Sequence, residues 1–471
     1  MRIRFRLAAE NIAGVTGITL SLILWAGCRQ TGQTSLSDGA GRVLPSEPAK
    51  VETTSPSEAT DTGEPEWGGD LQGYLRYAAL HNPGLEAAFN RWKAEMQRTD
   101  QVSVLDDPQF TYSYFIREVE TRVGPQRQKL GVRQKFPWFD KLRLRGETAQ
   151  AAARAARYGY EAAKLKLFYQ VKRAYFEYYY LAKAISVTRE NLTFLQAMEE
   201  TARARYSSGE IGQFALLRFQ VEIGRLEDQL VSLAQLRKPM SRELRSAINL
   251  PDGKLLPWPG ELEVQPVEFR DAELWEKVLR NPDLSQRAAL IERADRQVRL
   301  SRKNYYPDIS AGLDVIETDR AGMNVADSGR DPVVFSLQLN LPVIQADKYR
   351  AAEREARLRR LVAVKQKDQL ENDLKAALER IMYDVRNARR KIDLYRNGLI
   401  PKARQSFNVT RQAFAADRAD FLDVIDAVRT LLDFELTHER AVVDYAISAA
   451  HLEMLAGEQT QPAPEQGKIN F

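Results

Sequence analysis

Three histidines, one cysteine and a closely spaced pair of aspartates are the residues from which this chain could build chemistry. His81, His438 and His451 are scattered, and no HExxH, CxxC or glycine-rich phosphate loop surrounds them. None of the spacings that hold zinc or cradle a phosphate is therefore present, and the expectation is no enzyme, no cofactor and no metal. Cys28 is the only cysteine, so no disulfide forms within the chain. In "FLDVIDAVRTL" Asp423 and Asp426 stand three apart, which places both carboxylates on one face of a helix. Taken alone, such a pair is a solvated helix face. Its meaning depends on the elements that carry it.

Those elements are mostly long helices. Charged residues make up 28% of the 471, with Ala, Glu, Leu, Arg and Lys dominant in the middle. The 69 basic residues barely exceed the 64 acidic ones, and no basic cluster is interleaved with aromatics, so no nucleic-acid partner is expected. At the start, Arg2, Arg4 and Arg6 precede "AGVTGITLSLILWAG" (13–27), too short for a membrane span of ~20 residues but suited to the apolar core of an export signal. It ends "LWAGC", which resembles a bacterial lipobox, with Trp25 where that motif usually has Leu. The resemblance implies lipidation of Cys28 and residues 1–27 as a signal peptide. Residues 28–66 are rich in Ser, Thr, Gly, Pro, Glu and Asp, cannot bury enough apolar surface to offset ordering, and read as a tether.

The phrase Asn-Pro opens a helix twice, at Asn82 and at Asn281, 199 residues apart, with Asn as N-cap and Pro at the first helical position. Pro108 and Pro307 keep the same offset. After each, the apolar period changes from helical to two. Phe110, Tyr112, Tyr114 and Ile116 share a face; Leu130, Val132 and Phe136 oppose Lys129, Arg133 and Lys135; Ile309, Ala311, Leu313 and Val315 alternate with polar or small residues; and Val333, Phe335, Leu337, Leu339 and Leu341 oppose Ser336, Gln338 and Asn340. Each half thus predicts one hairpin of strands nine or ten residues long, with loops near 117–126 and 317–331. Long helical patterns follow (140–205 and 346–414), the second with a possible kink at Pro401. Each then turns, at 206–214 and 414–422, and returns. The expected organisation is a first repeat over 67–250, a linker over 251–270, a second repeat over 271–457 and a tail over 458–471.

Strands of that length suit a tilted transmembrane β-barrel, yet four are fewer than the eight of the smallest single-chain barrels. Three chains would pool twelve. Aromatic residues at the helix–strand junctions, Phe136, Trp138 and Phe139 at one and Tyr305 and Tyr306 at the other, favour the membrane reading. The doubled order of Asn-Pro, hairpin and turn, over about Leu71 to Gly457, resembles the TolC-like outer-membrane factors. That resemblance implies a mainly α protein with a small transmembrane β part: a homotrimer whose twelve-stranded barrel, set in outer-membrane lipid, continues into a long periplasmic α-barrel. It further implies an exit duct without enzymatic activity, working with a periplasmic adaptor and an inner-membrane pump in efflux or type I protein secretion. The family's acidic constriction maps onto Asp423 and Asp426, with Asp420 and Arg418 beside them. The turns that meet the adaptor map onto Tyr206, Gly209, Phe414 and Asp417. The last two depart from the family's usual Tyr and Gly. Alternation places Lys129, Arg133, Lys135, Gln338 and Asn340 toward the lumen. The competing reading is a lipid-anchored periplasmic coiled-coil scaffold with two small hairpins.

Overall fold

The computed structural model describes residues 70–457, apart from 252, 254, 263–270 and 323–325. The signal, Cys28, the tether, half of the linker and the tail lie outside the described residues. Short α1 (Leu71–His81) precedes α2 (Pro83–Ser103), then come β1 (Gln109–Val119), β2 (Gln126–Phe136), the 67-residue α3 (Lys141–Ser207) and α4 (Gln213–Ile248). The order then recurs as α5 (Asp271–Val278), α6 (Pro282–Lys303), β3 (Ile309–Thr318), β4 (Val333–Leu339), a 3-10 turn, α7 (Ala346–Leu394), a π turn (Tyr395–Leu399), α8 (Ile400–Ala415) and α9 (Phe421–Ala456). At 1.5 Å per residue α3 alone runs about 100 Å.

The two asparagines do more than open helices. Asn82 Oδ1 accepts from Leu85 N at 3.0 Å, while its Nδ2 donates to Ala247 O at 3.1 Å at the end of α4. Asn281 repeats this: Oδ1 accepts from Asp283 N, and Nδ2 donates to Leu455 O at 2.8 Å at the end of α9. One side chain thus satisfies an orphan donor of one helix and an orphan acceptor of another. Helices α1 and α5, which the sequence reading did not separate, bury Tyr74, Leu75 and Ala78, and Leu274 and Val278.

The strands differ from expectation in two ways. The hairpins are not separate but join as one antiparallel sheet in the order β1-β2-β3-β4, through a β2–β3 ladder in which Leu130 pairs with Val315 and Val132 with Leu313. β4 has seven residues rather than nine: Asn340 leaves it, its side chain accepting from the Asp308 N–H, and Pro342 starts the 3-10 turn. Pro401, expected to kink the second long helix, lacks the N–H that would bond residue 397, and a single π turn lies directly upstream of it.

Three apolar clusters hold the helices. One gathers Tyr74, Val171, Tyr178, Leu244 and Val443 and draws in Leu256 from the linker; Trp258 stacks on Tyr178 at 4.8 Å. A second, around Leu274, Leu378, Val385 and Leu452, joins α5, α7 and α9. The third, at the turns, joins α3, α4, α8 and α9 through Leu195, Phe219, Phe407, Phe414, Val424 and Leu431.

Candidate functional site

Two turns meet at one end of the helices, and the same backbone closes both. Gly209 N bonds Tyr206 O at 3.1 Å and Glu210 N bonds Arg205 O at 2.9 Å; 208 residues on, Asp417 N bonds Phe414 O at 3.2 Å and Arg418 N bonds Ala413 O at 2.7 Å. This paired closure needs a left-handed residue at its centre. Gly209 takes it at φ +79° and Asp417 at φ +58°. An aspartate tolerates that conformation better than most residues, because its short polar side chain finds local hydrogen bonds.

Arg205 makes Asp417 useful there. It is 8% exposed, and its guanidinium bonds the Asp417 carboxylate, Phe414 O at 2.7 Å and Glu210 Oε2 at 3.1 Å, with the Phe414 ring centroid 5.2 Å away. A single cation therefore ties the first turn to the second. Sequence reasoning missed it, because its partner lies 212 residues away. The available signal was a basic residue in the last turn of α3, where helix carbonyls are orphaned. A second tie lies deeper: Arg429 on α9 donates to Glu222 on α4, with Nε to Oε1 at 2.9 Å. Glu222 is 3% exposed, and the hydrogen bonds from Arg429 hold its carboxyl below the usual glutamate range.

The expected residues distribute around these ties. Asp420 caps α9, its Oδ1 accepting from Phe421 N at 2.7 Å, and Asp423 reaches back to Asp420 N at 3.0 Å, so the two form a capping box. Asp423 and Asp426 are both exposed, one turn apart, and Asp426 adds to the field on Arg429. Arg418 is exposed, with no ion pair among the described residues. Tyr206 is exposed. Phe414 is not: at 2% exposure, edge-on to Phe219 at 5.9 Å, it supports the turn from inside instead of presenting its ring to a partner. An open cleft of about 540 Å³ lies between the turns, lined by Arg205, Phe214, Asp417, Arg418, Asp420 and Asp423 among others.

At the other end stands the sheet. Phe110, Tyr114, Val132, Phe335 and Leu337 are exposed on one face; Ile116, expected on the same face and 94% exposed, falls in the irregular stretch of β1 between Tyr114 and Val119, where the ladder assigns no face. The ladders put Lys129, Arg133, Lys135 and Gln338 on the other face, with Asn340 just beyond it. Below, Trp138 stacks on Tyr306 at 5.4 Å and meets Phe139 edge-on at 5.6 Å, while Tyr305 packs on Tyr349. Phe136 and Phe139 are exposed at the same junction. Asp308 fastens the level, accepting from Trp138 N at 3.0 Å and from the buried Lys141 Nζ at 2.7 Å. Among the described residues no helix is long and apolar enough to cross a membrane, and no group of acids, His or Cys is placed to hold a metal.

The chain thus carries an apolar-faced, open-edged antiparallel sheet at one end of long helices, in two repeats of one order. The outer membrane efflux protein model matches residues 75–250 and 276–458, more than half of the chain, and the chain belongs to that family. It is 26% identical over 177 residues to Toxin and drug export protein A of Aggregatibacter actinomycetemcomitans, a match covering 37% of this chain and 38% of that protein. It is 20% identical over 332 residues to Nodulation protein T of Rhizobium leguminosarum bv. trifolii, covering 68% and 69% of the two chains. Among solved structures, CusC superposes with a TM-score of 0.72 at 15% identity, over 83% of this chain and 92% of that one. The Vibrio cholerae outer membrane protein VceC does so at 0.68 and 16%, over 83% and 97%. These likenesses show the fold.

Proposed function

We propose that the chain is the outer-membrane exit duct of a tripartite efflux system: a passive homotrimer, without enzymatic activity, that carries small molecules or ions out of the periplasm. The observation that carries this reading is the sheet. Its exposed apolar face needs lipid, and its free β1 and β4 edges need partners, because an unpaired backbone group in a bilayer costs several kcal/mol. Three copies supply twelve strands and close every edge. The aromatic residues at the junction then lie at the membrane surface, and the helices, in two repeats of one order per chain, continue into the periplasm as an α-barrel. Cys28 would add a lipid anchor.

At the far end the two turns form the tip, where Tyr206, Gly209 and Asp417 are offered to the adaptor of an inner-membrane pump. Asp423 and Asp426, with Asp420 and Arg418 near them, gather in the trimer around the axis, where six carboxylates favour cations and narrow the mouth. Small molecules or ions are taken as the cargo in preference to a protein secreted by a type I system; the name of the relative Toxin and drug export protein A fits either.

The deciding experiment is single-channel conductance of the detergent-purified protein in planar bilayers, wild type beside Asp423→Ala/Asp426→Ala. A small conductance that rises in the variant is expected. Equal conductance in both would remove the aspartate gate. A monomer that conducts nothing would remove the duct and leave a periplasmic scaffold.

A further inference from the structure

On the sheet face opposite the exposed apolar side chains, the ladder positions hold four charged residues: Lys129, Arg133 and Lys135 on β2, and Asp314 on β3. Three of these charges have a partner of opposite sign. Lys129 Nζ lies 2.9 Å from Asp314 Oδ2, and Lys135 Nζ lies 3.6 Å from Asp308 Oδ2 at the foot of β3, a carboxylate it shares with Lys141. Arg133 is left over: among the described residues no acid stands within ion-pair distance of it. Arg117 on β1 falls in the irregular stretch between Tyr114 and Val119, where alternation no longer assigns a face.

Two glycines shape the same surface. Gly131 pairs with Asp314 in the ladder, and a Cβ there would collide with the Asp314 carboxylate. Gly312 pairs with Arg133, and a Cβ there would meet Ser336 Oγ at 2.6 Å and Arg133 Nε at 3.5 Å. A glycine inside a strand costs stability and marks a close approach. Here it lets Asp314, 8% exposed, sink against the backbone and spend its charge on Lys129. Gly312 likewise leaves room for Arg133, whose Nε lies 3.5 Å from where a Cβ would stand, and the side chain is exposed with no acid to compensate it.

We infer that Arg133 sets the charge preference of the outer end of the duct, forming with its two symmetry copies a positive ring that favours small anionic solutes such as carboxylates and halides. The inference rests on the trimeric duct proposed above. A like-charge ring fixed on the low-dielectric wall of an aqueous passage raises the local concentration of counter-ions and repels co-ions. The carboxylates at the tip have the opposite sign, so the two ends of one conduit discriminate in opposite senses.

The test is the reversal potential of the full-length protein in planar bilayers under a potassium chloride gradient. Asp423→Ala/Asp426→Ala is present in every protein compared, so that the tip does not set the ratio. Arg133→Gln should lower the chloride-to-potassium permeability ratio by about two- to threefold, on the scale of a lost ring charge. Arg133→Lys should hold the ratio, and Asp314→Asn, which frees Lys129, should raise it. An Arg133→Gln channel that conducts with an unchanged ratio overturns the inference and leaves the duct standing. A parent protein without conductance overturns the duct, and the inference with it.

Discussion

Asp417 shows how one residue can hold two obligations. Its backbone occupies a left-handed position that costs a non-glycine residue roughly 1–2 kcal/mol, and its carboxylate answers Arg205 across the tip. Asp417→Gly separates the two. The turn should close as before, with thermal stability of the assembly unchanged or slightly raised, while the tie between the turns is lost and conductance rises toward that of Arg205→Ala. A glycine variant that conducts like wild type would show that the tie does not limit conductance. At this scale the sequence was legible where the partner is local. The Asn-Pro caps and the closeness of Asp420 and Asp423 could be read directly, although the capping box those two form was not anticipated. Where the partner is distant it was silent. Nothing near Arg205 announces Asp417, and nothing near Phe414 announces the Phe219 ring that buries it.

Among the elements, α4 and α9 are joined at the tip by Glu222 and Arg429, and this joint carries a pH dependence of defined sign. Hydrogen bonds from Arg429 depress the Glu222 carboxyl, so its contribution is complete above the unfolded glutamate range, near 4.3, and is lost as pH falls through the lower folded value. Conductance should therefore gain an acid-induced component below about pH 4. Glu222→Gln should remove that component, raise conductance at neutral pH, and cost on the order of 1–2 kcal/mol, since Arg429 is half exposed and solvent screens the pair. An unaltered acid profile in the variant would place the titrating group elsewhere. Long helices and strand faces could be read from their periods. The merging of two hairpins into one sheet could not: alternation states which residues share a face and is blind to which strand lies alongside. Short α1 and α5 carry apolar residues at helical spacing, Leu71, Tyr74, Leu75 and Ala78 in the first, but their few residues were lost beside elements several times longer.

For the whole molecule, the outward face of the sheet is the surface on which the membrane reading depends. Phe335, 70% exposed on the edge strand β4 and paired with Leu313 about halfway along β3, is the sensitive position. Phe335→Arg should cost about 2–4 kcal/mol per chain at bilayer mid-depth and reduce the trimer recovered from membranes, whereas Ser336→Arg on the opposite face should leave recovery intact. Equal recovery of both variants would mean that lipid does not touch this face. The sheet has a further consequence, which concerns time and not form. A lone chain owns three ladders and two bare edges, and in the proposed trimer a fourth ladder would form only between chains. Such a chain has no resting place in hydrocarbon, so under the proposed trimer insertion is a collective event whose rate climbs steeply with the number of chains gathered at one spot. Halving synthesis would then deplete finished channels far more than twofold, and the chains left waiting would expose the sticky strand edges that seed aggregates.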